Sequence, residues 1–428
     1  MDYRVCPLIV VRATYATAPA PVLRNPSRNG KSMAREQVLT PITSRPPFWR
    51  DVRILAILGQ VAFLILVALI AGLLYANVTS QMRRLGIGGS YSFMQQEAGF
   101  AIGVTPIPYS PDNAYWRAFQ VGVINTLLVS ILGIVLATLL GLLAGIAQLS
   151  GNWLVAKLAQ VYVAIFRNVP LLVQLFFWYQ AVFLALPRVQ DAIALPGPIY
   201  LSQRGVSMIG ITPTPSTSWW AGFILGGVVI AAAVWYWLHM RQMRTGQQSP
   251  RLLIAVGIVL LSAIVGWLAL AMNPLEVTIP ERQRFNIQGG FRLSPEYAAL
   301  LVGLVIYTGT FIAEIVRAGI LGVAKGQKEA ARALGLSGGQ SMRLVILPQA
   351  LRIIIPPMTS QYLNLAKNSS LAIAIGYPDL FNVSRTIANQ TGQVVQLIGL
   401  IMLSYLTISL VTSVIMNLYN RSVRLVER

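Results

Sequence analysis

The chain has 428 residues, 55% of them hydrophobic and only 11% charged, with a mean hydropathy of +0.64. Soluble domains carry about a quarter charged residues, so this balance excludes an ordinary soluble protein before any motif is read. The net charge of +20 is not the footprint of a nucleic-acid binder, which gathers Lys and Arg on one soluble face; here the positive residues sort by loop, between apolar runs.

Residues 1–50 are rich in Arg, Ala and Pro and read as a basic, disordered tail. Their apolar hexad near Leu8 is too short for a signal segment. Residues 1–32 are expected to be dispensable, with Met33 as a second possible start. Cys6 is the only cysteine, so neither an intrachain disulfide nor a Cys-based metal site is expected, and no other residue grouping suggests a metal or a cofactor.

A helix needs roughly 20 apolar residues to cross the hydrocarbon layer. Eight stretches qualify: 54–77, 119–147, 170–187, 219–238, 252–272, 297–320, 349–366 and 396–418. The third is the shortest and the seventh carries prolines. With both termini in the cytoplasm, ten of the 33 Lys and Arg residues fall in outer segments and 23 inside, the positive-inside asymmetry. The expected class is therefore all-α, a polytopic protein of about eight membrane helices. Residues 51–118 carry the first span and a polar outer segment.

The second span repeats small residues every fourth position, at Gly133, Ala137, Gly141 and Gly145, a ridge for close helix packing. Residues 152–170 run along or into the inner interface and bend at Pro170. Residues 188–218, rich in Pro, Gly and Ser, read as an outer loop, and 273–295 as another polar loop. His239, the single histidine, ends an aromatic run and reads as an interfacial residue.

After the sixth span comes GVAKGQKEAARALGLSGGQSMRLVILPQ. Its LSGGQ matches the signature of cassette ATPases, where a helix N-terminus meets a nucleotide phosphate. A local explanation suffices. Gln327 to Leu334 forms a short helix, Gly335 closes it, and Ser337 with Gln340 makes a capping box for the next helix. The phosphate loop an ATPase needs is absent: the only Gly-Lys-Ser, at 30–32, sits in the basic tail without its upstream glycine. ATP hydrolysis is not expected of this chain.

Glu329, Ala330, Ala331 and Gly335, followed by Val345, Leu347 and Pro348, resemble the EAA motif of ABC importer permeases. The stretches FRNVPLLVQLFFWY (166–179), YTGTFIAEIVRAGI (307–320), LPQALRIIIPP (347–357) and KNSSLAIAIG (367–376) are similar to permeases of the polar amino-acid uptake family. The inserted pair of spans four and five looks like the larger permease of general L-amino-acid importers. The resemblance implies a five-helix type I permease core, of spans two, three, six, seven and eight, within a permease domain at 119–428 that carries an insertion at 188–295. It also implies these partners: a second permease, two copies of a cassette ATPase that receive the EAA helix, and an extracytoplasmic solute-binding protein that delivers an L-amino acid across the bacterial inner membrane lipid. No nucleic-acid partner is expected.

Ionisable residues inside spans are costly and carry a functional prior. Glu314 and Arg317 read either as a structural pair or as the inner mouth of a path. Arg167 and Asn168 either anchor an inner gate or snorkel to headgroups. Lys367, Asn368 and Ser369 stand about 28 Å along the helix from Pro348 at 1.5 Å per residue. They either meet substrate or the binding protein, or are a solvated loop. Asn125 and Thr126 either face the interior or bond their own backbone. A competing expectation is an ion-coupled secondary transporter of small polar solutes, which broken helices with midplane acids would favour.

Overall fold

The computed structural model describes residues 52–84, 90–245, 250–270, 272–284 and 286–423. The basic tail, with Cys6, the Gly-Lys-Ser triplet and Met33, lies outside the described residues. The chain divides into two compact units, residues 1–79 and 80–428. In the first, helix α1 (Val52–Arg84) leaves its apolar side chains from Ile54 to Val78 exposed, as a span facing lipid requires.

The second unit is built around α2 (Tyr115–Ala147) and α7 (Pro295–Leu321), its most extensively packed helix pair. The small ridge of α2 is the reason they approach closely. A Cβ on Gly141 would lie 2.6 Å from Ile312, and one on Gly145 2.7 Å from the Ala313 carbonyl. Ala137 is fully buried between them. Helix α10 (Leu347–Asn368) packs on α7 and sends Leu365 to within 3.2 Å of a Cβ on Gly133. The core that results runs from Val129 through Leu304, Ile312 and Ile354 to Leu365 and Tyr377. Helices α11 (Leu380–Thr391) and α12 (Val394–Val423) complete the bundle.

The third expected span is not one straight helix. Helix α3 (Trp153–Asn168) and the arm from α4 (Leu171–Phe176) to Phe183 meet at 104°. The arm of 13 residues is about 20 Å long, too short to cross alone. Pro170 lacks the N–H that would continue the helix, and the amide of Gln174 donates to Phe166 O (2.8 Å) and Val169 O (3.0 Å) in its place. Among the described residues six helices are long and apolar enough to cross a membrane, and seven if the bent pair counts as one; α10, with its two internal prolines, is the seventh expected span but lies outside that set.

The helix pair α5 (Thr217–Thr245) and α6 (Arg251–Ala269) forms the inserted hairpin, with Gly227 against Ser262 and Gly266 against Phe223. At its end His239 stacks on Trp235, and its Nδ1 accepts from Arg251 at 2.5 Å.

The two segments read as loops, 188–218 and 273–295, instead fold together as a small β lobe. Strands β1 (Ile193–Leu195), β2 (Ile199–Ser202) and β3 (Gly205–Met208) form an antiparallel meander. Next come β4 (Gly210–Pro213), β5 (Leu275–Thr278), β6 (Glu281–Arg282), β7 (Ile287–Gln288) and β8 (Phe291–Leu293). Strand β8 pairs antiparallel with β3, β4 with β5, and β6 with β7. The β2–β3 turn requires Gly205: its φ is +105°, and a Cβ there would sit 2.0 Å from Leu293 O. The outer segment before α2 also folds. Phe93, Met94 and Ala98 pack with Tyr115 and Phe119 of α2 against Leu380, Val383 and Ile387 of α11.

Candidate functional site

At the bundle end opposite the β lobe, α7 stops and α8 (Lys325–Ala333) begins. It starts two residues before the expected Gln327. Gly335 has φ +72°. Its N–H donates to Arg332 O (2.9 Å) and that of Leu336 to Ala331 O (3.1 Å), the paired bonds of a Schellman C-cap. Ser337 then caps α9 (Gly338–Ser341): its N–H donates to Gln340 Oε1 (3.0 Å) and its hydroxyl accepts from Gln340 N (3.4 Å). A turn of wider helix, Met342–Ile346, leads into α10. LSGGQ is therefore a helix cap followed by a helix start.

Helix α8 has two different faces. Ala331 is buried, Lys328 Nζ donates to Ile320 O at 3.1 Å, and Gln349 donates to Gln327 at 3.3 Å, so one side is fastened to α7 and α10. The other side presents Glu329, Ala330 and Ala333, with Leu334 80% exposed at its end. The small apolar surface expected of Ala330, Ala331, Ala333 and Leu334 is thus split, with Ala331 turned inward. Glu329 lies 3.8 Å from Lys325, but both are well exposed, and such pairs contribute little. Leu347 is half-buried and Pro348 exposed at the start of α10.

Along α7, Glu314 and Arg317 are joined at 2.9 Å and partly exposed. One turn earlier Phe311 lies under the Arg167 guanidinium, 5.5 Å from ring centroid to carbon. The structure therefore gathers Arg167, Glu314 and Arg317 on one side of α7. Asn168 is not part of that group: its amide donates to Ala164 O, closing α3.

Near the β-lobe end, Asn125 and Thr126 are both fully buried, and both side chains bond partners beyond α2. The Asn125 amide donates to Val104 O (3.0 Å) and Pro378 O (2.9 Å), and Thr126 Oγ1 accepts from Leu380 N (3.0 Å). They hold the turn before α11 against α2. Ser369 is buried and donates to Ala366 O, whereas Lys367 is exposed and Asn368 half-buried. The three do not form one cluster.

Sequence reasoning missed Asp379. It is fully buried, caps α11 by accepting from Asn382 N at 2.9 Å, and lies 3.4 Å from the Tyr405 hydroxyl. Burial pushes its carboxyl up to about 6, although the hydrogen bonds it accepts from backbone N–H groups and Tyr405 pull the other way. The Asp-Leu-Phe-Asn pattern of a helix start was the available signal.

Residues 137–427 match the family model of the binding-protein-dependent transport system inner membrane component. The chain is 44% identical over 358 residues to the general L-amino acid transport system permease protein AapQ of Rhizobium johnstonii, covering 82% of this chain and 88% of that one. It is 44% identical over 377 residues to the putative amino-acid ABC transporter permease protein YhdX of Escherichia coli, covering 87% and 94%. It is 39% identical over 420 residues to the glutamate/glutamine/aspartate/asparagine transport system permease protein BztB of Rhodobacter capsulatus, covering 88% and 96%. The ion-coupled alternative is set aside by these matches. The chain is a multi-pass inner-membrane permease and belongs to the binding-protein-dependent transport system inner membrane component family.

Proposed function

We propose that this chain is the membrane-spanning subunit of an ATP-driven importer that carries L-amino acids delivered by an extracytoplasmic binding protein. A second permease completes the path, and two copies of a cassette ATPase drive it. The permease domain is residues 119–428, with the α5–α6 hairpin and β lobe as an insertion, and both termini are cytoplasmic.

One observation carries this reading. A nine-residue helix, α8, has one face fastened to the bundle and the other open to solvent, and defined caps close it and open the helix that follows. An exposed helix so firmly placed, with Glu329, Ala330 and Leu334 outward, suits a partner protein better than a lipid headgroup. Gly335, Leu347 and Pro348 set its end and the start of the helix that follows. Glu314, Arg317 and Arg167 would line the inner end of the path, with Asn168 fixing the end of α3. Lys367 and Asn368 would stand at its outer end, and Asn125, Thr126 and Ser369 would support them from within.

The test is contact. With Cys6 replaced by Ser, Leu334→Cys should form a disulfide with a cysteine placed in the partner ATPase when the complex is assembled in membranes. A cross-link that forms as well at Leu268→Cys, an exposed position on α6, would overturn the assignment.

A further inference from the structure

The α5–α6 hairpin is a part of the fold that transport, as proposed above, does not use. Its two helices pack chiefly on one another, and most of their apolar side chains are left exposed. On α5, Trp219 and Trp237 are 18 positions apart, about 27 Å along a helix, close to the roughly 30 Å depth of the hydrocarbon layer. The two tryptophans therefore mark its two borders, where such rings settle. Arg241 and Arg244 follow about 6 and 10 Å further along the axis, at the level of lipid phosphates and away from the β lobe.

The charge at that end is one-sided. Residues 192–275 contain no Asp or Glu, and among the described residues none of Arg241, Arg244 and Arg251 has an ion pair. Two of the guanidinium groups are placed by aromatic rings instead. Arg241 lies over Trp237, 5.6 Å from the ring centroid, and Arg251 over Trp235 at 5.8 Å. Arg251 also donates to His239, which itself stacks on Trp235. Trp235, Trp237, Arg241 and Arg244 are all exposed, and Arg251 is half-buried. Trp235 and Trp237 differ by about 200° round the helix, so the two Arg–Trp pairs face opposite sides of α5. A guanidinium held on a ring keeps most of its N–H donors for an anion, and phosphate fits its planar fork.

We propose that the turn end of the α5–α6 hairpin is a binding surface for anionic phospholipid, with lipid phosphates held by Arg251 beside Trp235 and by Arg241 and Arg244 beside Trp237. A zwitterionic headgroup is the poorer ligand, because it brings a cation to an end that has no carboxylate to pair it. The bound lipid tethers the hairpin where the rest of the chain supplies few neighbours. Arginines beside a span also orient it during insertion, but orientation needs only charge, whereas this end stacks a guanidinium on a tryptophan on each side of α5.

The experiment releases the assembled complex from nanodiscs of equal phosphatidylglycerol and phosphatidylcholine and counts the lipids it retains by native mass spectrometry. The wild type should retain phosphatidylglycerol in preference, and excess inorganic phosphate should not displace it. Arg241→Gln combined with Arg251→Gln should lower that preference by about fivefold for each arginine lost. Trp235→Leu combined with Trp237→Leu leaves in place every charge that directs insertion, and should lower it by about twofold to fivefold through loss of the two ring contacts. Arg343→Gln combined with Arg421→Gln removes the same charge from two exposed positions at the α8 end and should leave the preference unchanged. Equal retention of both lipids by the wild type, or displacement by inorganic phosphate, would overturn the proposal. So would a wild-type preference in the tryptophan variant, or an equal loss in the Arg343 and Arg421 variant, since either would reduce the effect to general surface charge.

Discussion

Gly335 gives the sharpest quantitative expectation. It closes α8 at φ +72°, and a Cβ there would meet nothing within 4 Å. A side chain is therefore penalised by backbone strain alone, about 1–2 kcal/mol for an ordinary L-residue in the left-handed region. Two cap bonds depend on that conformation, from Gly335 N and Leu336 N, each contributing about 1 kcal/mol net. Because α8 is short and largely exposed, this sum acts on the local helix rather than on the whole bundle. Gly335→Val should lower the population of correctly ended α8 by about tenfold for each 1.4 kcal/mol lost, while Gly335→Asn, a residue tolerated in this region, should stay near wild type. The assay is ATP hydrolysis by the assembled complex, with and without loaded binding protein, at matched membrane levels. Stimulation should fall in the valine variant and survive in the asparagine variant. Equal stimulation in both would show that the cap does not position α8 for its partner.

Gly141→Leu places a side chain where Cβ alone is 2.6 Å from Ile312; overpacking of this kind costs about 1–3 kcal/mol, so its thermal midpoint in detergent should drop, whereas Gly222→Ala on α5, with open space around it, should not change it. Thr126→Val leaves Leu380 N without its acceptor, a loss of about 1–3 kcal/mol, and Thr126→Ser should recover most of it in the same melt. Asp379 predicts a pH effect. Burial raises its carboxyl from 3.8 to about 6, so the folded state holds the proton more tightly than the unfolded chain. The destabilising cost is fully present above pH 6 and is relieved as pH falls from 6 towards 4. Asp379→Asn, which keeps a side-chain oxygen for the α11 cap, should flatten that part of the stability profile.

The cap chemistry was legible because it is local: Gly335, Ser337 and Gln340 lie within six residues, and their types determine their bonds. The α2 ridge was legible because a four-residue spacing of small side chains has one packing use. The bend at Pro170 followed from a missing N–H, though the Gln174 amide that satisfies the broken turn did not. The β lobe was hidden because its strands are two to four residues long and β3 finds β8 across the whole α5–α6 hairpin. No window on the sequence spans that pairing. The turn that carries Asp379 was not singled out, since burial of an acid is set by α2 and α12 closing over it, far away in the chain. Lys367, Asn368 and Ser369 were read as one group because they are consecutive, but a helix turns about 100° per residue and so divides them.

The most direct measurement is uptake by proteoliposomes that contain this chain, a second permease and the cassette ATPase, with binding protein and radiolabelled L-glutamine outside and ATP inside. The account predicts uptake that requires ATP and binding protein, persists when ion gradients are collapsed, and is lost with Glu329→Lys while the complex remains inserted. Uptake driven by an ion gradient without ATP, or uptake indifferent to Glu329→Lys, would contradict it.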